Sequence, residues 1–353
     1  MFQFKKKLSL FEKEMLKSKL KHENFAYNII AIITQFVWSI HNIQIINIQL
    51  YFKENSNFNI NNFIFWRSLP LIPLSYKLNK CKNSNFPVHS DIEHKIWFYL
   101  RNIGSYISLY LGLLIIDYYN YAIMYIIAFT TPLLIILLAV IFLKENFYIR
   151  YLLFVIICIF GTYFIVLCRQ KNENIDIFNN NKNIFFNILI GVCFYISLSL
   201  NLTGQKVIVN EKIELNAQNF YVSFYNFMFA LFFCLINFTF GFSDIKYIIF
   251  CIGNGLFFYI GSYLTSFCLQ FIEVSKFQPV TYFTLIFQLI IQDIVINRII
   301  YKTDILGIVL IVGVHVYNLY FALDENKNIT ESKADEEELK NNFLINNESA
   351  DND

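Results

Sequence analysis

Apolar stretches run at roughly 25–48, 62–77, 96–116, 120–142, 147–167, 184–207, 219–241, 247–271, 277–297 and 303–322, with polar residues gathered in the connections between them. A helix rises about 1.5 Å per residue, so about 20 apolar residues cross the hydrocarbon core of a bilayer. The pattern predicts an all-α polytopic membrane protein of about ten transmembrane helices, the second of them short. If both termini are cytoplasmic, 19 Lys and Arg fall on the cytoplasmic side and seven on the other. Cytoplasmic loops retain positive charge during insertion, so the bias favours an even number of crossings with both ends inside.

The scarce Gly and Pro residues suggest an internal repeat. Gly104, Gly112, Pro132 and Gly161 have counterparts in Gly253, Gly261, Pro279 and Gly307, at offsets of 8, 28 and 57 in one half and 8, 26 and 54 in the other. Five helices per repeat is an odd number, so the second half enters the membrane inverted, a recurring transporter design. The expected organisation is a basic N-terminal tail (1–24), a first five-helix repeat (25–168), a polar linker (169–183), a second repeat (184–322) and an Asn- and acid-rich disordered tail (323–353).

Composition agrees with a lipid environment: 56% of the 353 residues are hydrophobic and 15% charged. The net charge of +2, without an Arg-rich cluster, gives no reason to expect nucleic acid. The seven cysteines show no CxxC spacing, so neither a zinc site nor a disulfide framework is expected. No paired-His metal motif, GxSxG, P-loop or intramembrane Asp pair is present. An enzyme is therefore not expected, and no cofactor is implied. The first residues lack an apolar signal-peptide core, so the first helix is expected to act as an uncleaved insertion signal.

Polar side chains inside apolar segments are the site candidates, because each costs free energy unless it faces a cavity or a partner. Gln35, Asn42 and Gln49 recur every seven residues with Trp38 between them, so they share a helical face that should point into the bundle. That face reads either as a cavity wall or as interhelical hydrogen-bonding glue. His41 is a proton-coupling candidate, since its side chain titrates near neutrality. Arg67 presents a planar fork suited to phosphate or carboxylate, with snorkelling to the membrane surface as the plainer reading. Arg101 lies nearer a predicted helix end and reads as an anchor. Tyr125, Asn201, Tyr225, Asn226, Gln278 and Tyr282 supply further candidate donors and acceptors. Glu145 is expected to cap the helix that follows it and to pair with Lys144 or Arg150. Pro132 and Pro279 are expected to break or start helices.

The stretch AFTTPLLIILLAVIFLKENFYIRYLLFVIICIFGTYFIV, from Ala128 to Val166, resembles the drug/metabolite transporter superfamily, specifically its EamA-like and solute-carrier-35-like branch. The shared features are a Pro at the start of a helix, an apolar run, the Leu143-Lys144-Glu145 turn and Gly161. Trp66-Arg67-Ser68, Leu100-Arg101-Asn102-Ile103-Gly104, Gln278-Pro279-Val280 and Gly307-x-x-Leu310-Ile311-x-Gly313 extend the similarity over residues 25–322. The resemblance implies a secondary carrier that moves a small polar solute, anions included, by alternating access. Phe224-Tyr225-Asn226 is similar to part of a nucleobase-recognition motif of nucleotide-sugar carriers, although Phe227 replaces its second Asn. Nucleotide-sugar exchange in an endomembrane is therefore one alternative, and a non-transporting receptor or scaffold is another. The implied partners are a small-molecule substrate and the lipid bilayer. A homodimer is compatible with the chain, and the sequence does not choose between endomembrane and plasma membrane.

Overall fold

The computed structural model describes residues 26–49, 51–52, 59–81, 92–118, 121–146, 149–173, 184–211, 213–237, 244–296, 303–314 and 316–317. The expected N-terminal tail, the C-terminal tail, His315 and most of the linker lie outside them. The chain divides into one unit of residues 30–311 and another formed by the terminal segments Met1–Ile29 and Val312–Asp353. The helix packing and the buried polar groups lie in the larger unit.

The described residues form helices, with no strand among them. They are α1 (Ala26–Gln49), α2 (Ile60–Ser68), α3 (Leu71–Cys81), α4 (Ile92–Tyr118), α5 (Tyr121–Leu143), α6 (Ile149–Glu173), α7 (Ile184–Asn210), α8 (Leu215–Ile236), α9 (Ile245–Phe271), α10 (Val274–Phe277), a 3-10 turn (Gln278–Tyr282), α11 (Phe283–Ile296) and α12 (Thr303–Val314). Among the described residues, six spans are long and apolar enough to cross a membrane: Ala26–Gln49, Lys95–Ile116, Leu189–Asn210, Leu215–Ile236, Ile245–Phe271 and Val274–Ile291. Large apolar side chains such as Ile141, Ile149, Phe232 and Ile245 are exposed, while Gln35, Arg67, Arg101 and Gln218 are buried. Polar groups inside and apolar groups outside are the distribution of a helical multi-pass membrane protein, whose outer surface meets lipid.

Departures from the expected segments have local causes. The second segment divides into α2 and α3, because Pro70 and Pro73 lack the N–H groups that would continue the ladder to the carbonyls of Trp66 and Leu69. The linker starts later than 169, because α6 runs on through the good helix formers Arg169, Gln170 and Lys171 to Glu173. α8 starts at Leu215 rather than 219; its first turns are polar, yet Asn216, Gln218 and Asn219 are buried. Pro132 lies inside α5 without ending it, and the hydroxyls of Thr130 and Thr131 donate to the Ile127 carbonyl at 2.8 and 3.1 Å. Pro279 instead opens a 3-10 turn.

Close contacts give the relative directions of the helices. A Cβ on Gly204 would meet Arg101, one on Gly104 would meet Ser197, and one on Gly112 would meet Phe194, so α4 and α7 are antiparallel. Thr34 approaches Cys268, Trp38 packs on Gly261, and Phe52 meets Tyr247, so α1 and α9 are also antiparallel. Gln49 Nε2 donates to the Leu113 carbonyl at 3.2 Å, which brings the late parts of α1 and α4 to one level. Gly253 stands apart from this packing, with open space around it.

α5 ends in a reversal centred on Lys144, whose φ of 54° is left-handed, and the Glu145 N–H reaches back to the Ala139 carbonyl at 3.3 Å. A left-handed residue just past the last helical turn is the helix-terminating position that favours glycine. Lys144→Gly is expected to raise stability by about 1 kcal/mol, read as a higher Tm. The reversal also corrects the expected role of Glu145. Its carboxylate accepts from the Val274 N–H at 2.9 Å, the Ser275 N–H at 3.0 Å and the Ser275 hydroxyl at 2.9 Å, so it caps α10 rather than α6. Nearby, Lys206 Nζ donates to the Leu269 and Ile272 carbonyls at the end of α9.

α6 and α12 meet through Gly161 and Gly307. A Cβ on Gly307 would lie 2.6 Å from the Gly161 carbonyl oxygen and 2.5 Å from Ile165 Cγ1. Gly307→Ala must therefore push the two helices apart, and a loss of about 1–3 kcal/mol is expected on thermal unfolding in detergent.

Candidate functional site

The proline break between α2 and α3 fixes Arg67 in the last turn of α2. Its carbonyl faces Gly255 of α9 so closely that a Cβ there would overlap it. The guanidinium lies over the Phe258 ring, 4.2 Å from the centroid, and Nη1 is buried with no acceptor among the described residues. Stacking on an aromatic face compensates part of the charge burial but gives Nη1 no hydrogen bond. The same ring lies near Trp38 and His41, with centroids 5.8 and 5.9 Å away. Trp38 donates its indole N–H to Thr265 at 3.0 Å and rests on Gly261. The Nδ1 of His41 pairs with Asn42 Oδ1 at 3.1 Å, and its Nε2 is buried without a partner among the described residues.

These groups line a cavity of about 300 Å³. Arg101 lines it too, which corrects its expected role as an anchor. α4 begins at Ile92, several residues earlier than the hydrophobic pattern indicates, so Arg101 sits well inside the helix and is 1% exposed. Its Nη1 reaches the Gln218 carbonyl at 3.5 Å, and its Nε is buried without an acceptor among the described residues. No carboxylate lines the cavity among the described residues. Two buried guanidiniums without an acid are costly in a membrane interior, on the order of 2.5–3.5 kcal/mol each on insertion scales, unless an anion completes them.

Of the sequence-derived candidates, Gln35, Trp38, His41, Asn42, Arg67, Asn201 and Gln278 come together on the cavity wall. Gln35 accepts from Thr284 Oγ1 at 2.8 Å, while Gln278 Oε1 is buried with no donor among the described residues. The other candidates fall elsewhere. The Tyr225 ring packs among Phe98, Tyr99 and Phe229 behind the wall. The Tyr282 hydroxyl is spent on the Phe129 carbonyl at 2.6 Å. Asn226 supports the cavity residue Ser105 from behind, at 3.5 Å, and Gln49 turns to Leu113. The side chain of Tyr125 lies outside the described residues.

Sequence reasoning missed Gln205, Ser262 and Thr265. Gln205 Nε2 donates to Ser266 Oγ at 2.6 Å and to the Ser262 carbonyl at 3.3 Å. Beyond them, Ser262 Oγ donates to Asn219 at 2.7 Å, and the Tyr259 hydroxyl donates to Asn216 at 2.6 Å. This network holds α7, α8 and α9 together at the level of Arg101. Its only sequence signal is the polar start of α8.

The fold has known counterparts. The crystal structure of another protein superposes with a TM-score of 0.64 at 11% identity, covering 82% of this chain and 96% of its own. At that identity the similarity concerns the fold alone. No family model matches the chain, and no curated protein matches it.

Proposed function

We propose that the protein is a secondary transporter that carries a small polar anion across a membrane by alternating access. The observation that carries this reading is the cavity lined by Arg67 and Arg101 with no carboxylate on its wall among the described residues. A guanidinium offers a planar fork of donors matched to carboxylate, phosphate or sulfonate oxygens. Arg67 Nη1 and Arg101 Nε are buried donors left without acceptors among the described residues, and both arginines line the cavity in which such oxygens would bind.

Ten crossings follow if α2 with α3 forms one span and the shorter apolar helices of α5, α6 and α12 form three more. The repeat supports two inverted halves. The equivalent residues Gly161 and Gly307 touch each other, as residues beside a two-fold axis do. Gly112 and Gly261 each pack on an aromatic ring of the cavity wall, Phe194 and Trp38, from the first helix of the opposite half. Inversion of such halves exchanges an opening on one side for an opening on the other. The Glu145 bonds to Val274 and Ser275 join the two halves at one end, so alternating access requires them to part. The drug/metabolite transporter resemblance points the same way, and the modest cavity suits a small solute better than a nucleotide sugar.

Thermal unfolding in detergent tests the reading with orthophosphate, acetate and benzenesulfonate against choline and sorbitol. A ligand at 100 times its Kd adds about 2.7 kcal/mol to the folded state. Anions are expected to raise the Tm, with choline and sorbitol inert. A choline-only or sorbitol-only shift overturns anion recognition.

A further inference from the structure

We infer that the transported anion carries an apolar body, so that the ligand is a short amphipathic anion rather than a compact inorganic one. This rests on the transporter reading and narrows its substrate class. The walls of the cavity change character along its length. On α4 the lining residues run Arg101, Ser105 and Ser108, then Leu109, Leu113 and Ile116. α7 runs the opposite way, with Gln205, Leu202 and Asn201 toward the levels of Arg101 and Gly104, and Leu198 and Phe194 toward the level of Gly112. α1 agrees: Gln35, His41 and Asn42 come first, and Ile45 and Ile46 follow toward the level of Leu113.

One end of the cavity therefore offers guanidiniums, amides and hydroxyls beside the apolar Leu202 and Val222, and toward the other end the lining passes to aliphatic and aromatic carbon. From Arg101 to Ile116 the helix rises about 22 Å. Water is poorly held at an apolar end, because it needs two or more polar partners there. An anion filling only the polar end leaves that surface unused, whereas an attached hydrocarbon or ring covers it. The volume of about 300 Å³ is on the order of ten water volumes, which limits the body to a short chain or a single ring.

Alkanesulfonates test this, since they stay ionised and do not cross bilayers as neutral acids. Binding of methane- through octanesulfonate, with benzenesulfonate, is measured calorimetrically on protein in nanodiscs against empty nanodiscs. Affinity is expected to rise about fourfold per added methylene and then to level off once the cavity is full. Leu109→Asn is expected to flatten that rise. A series that binds with no dependence on chain length overturns the inference while leaving anion recognition intact. A rise that continues undiminished through the longest member also overturns it, because the chain is then reaching lipid. If no sulfonate and no orthophosphate binds, the transporter reading falls together with the inference.

Discussion

Arg67→Ala is expected to weaken anion binding by at least about 30-fold and to reduce uptake to the level of protein-free vesicles. Truncating one member of a buried charge pair costs on the order of 2–5 kcal/mol, and Arg67 brings a guanidinium that is enclosed, stacked on Phe258 and short of acceptors. Arg67→Lys keeps the charge but not the planar fork, so it should retain part of the binding and lose discrimination among oxyanions. The folded state of Arg67→Ala should not be less stable without ligand, because the substitution removes a buried charge that stacking on Phe258 compensates only in part. A purely structural arginine would behave the opposite way, losing stability on truncation. Calorimetric titration and unfolding of the same preparations separate the two outcomes.

Gly255→Ala should disturb both fold and binding, while Gly253→Ala on the same helix should not. A Cβ at 255 overlaps the carbonyl of Arg67, and backbone cannot swing aside as a flexible side chain can. α2 and α9 must separate, which costs about 1–3 kcal/mol and lifts the guanidinium off the Phe258 ring. At Gly253 nothing lies within 4 Å, so the added methyl is accommodated and helix propensity improves. The expected result is a lower Tm and weaker anion binding for the first variant and wild-type binding for the second.

Helical membrane character is legible from apolar run length, and half of the site from the polar face of the first segment. Gln35, Trp38 and Asn42 reach the cavity because that face is set by helical periodicity alone. Gln49 continues the same face but turns to Leu113, since the cavity wall there has become apolar. Arg101 looks like an anchor in the sequence because hydropathy locates helix ends poorly where a polar first turn precedes the apolar run. The same effect hides Asn216 and Gln218, which fall in the expected connection and are buried, accepting from Tyr259 and Ser266 of α9. Tyr225 and Tyr282 show the reverse limit: a tyrosine in a span reveals its hydroxyl partner only when the neighbouring helix is in place. Glu145 reads as a local cap from its neighbours in the chain, and the left-handed Lys144 redirects it across the bundle.

Counterflow in proteoliposomes measures anion translocation through the cavity of Arg67 and Arg101 directly, with vesicles preloaded with unlabelled orthophosphate or benzenesulfonate and the same labelled anion added outside. A carrier of this kind gives transient accumulation that requires the internal anion and disappears in Arg67→Ala. Accumulation no greater than in protein-free vesicles, with folded wild-type protein in the membrane, would contradict anion transport.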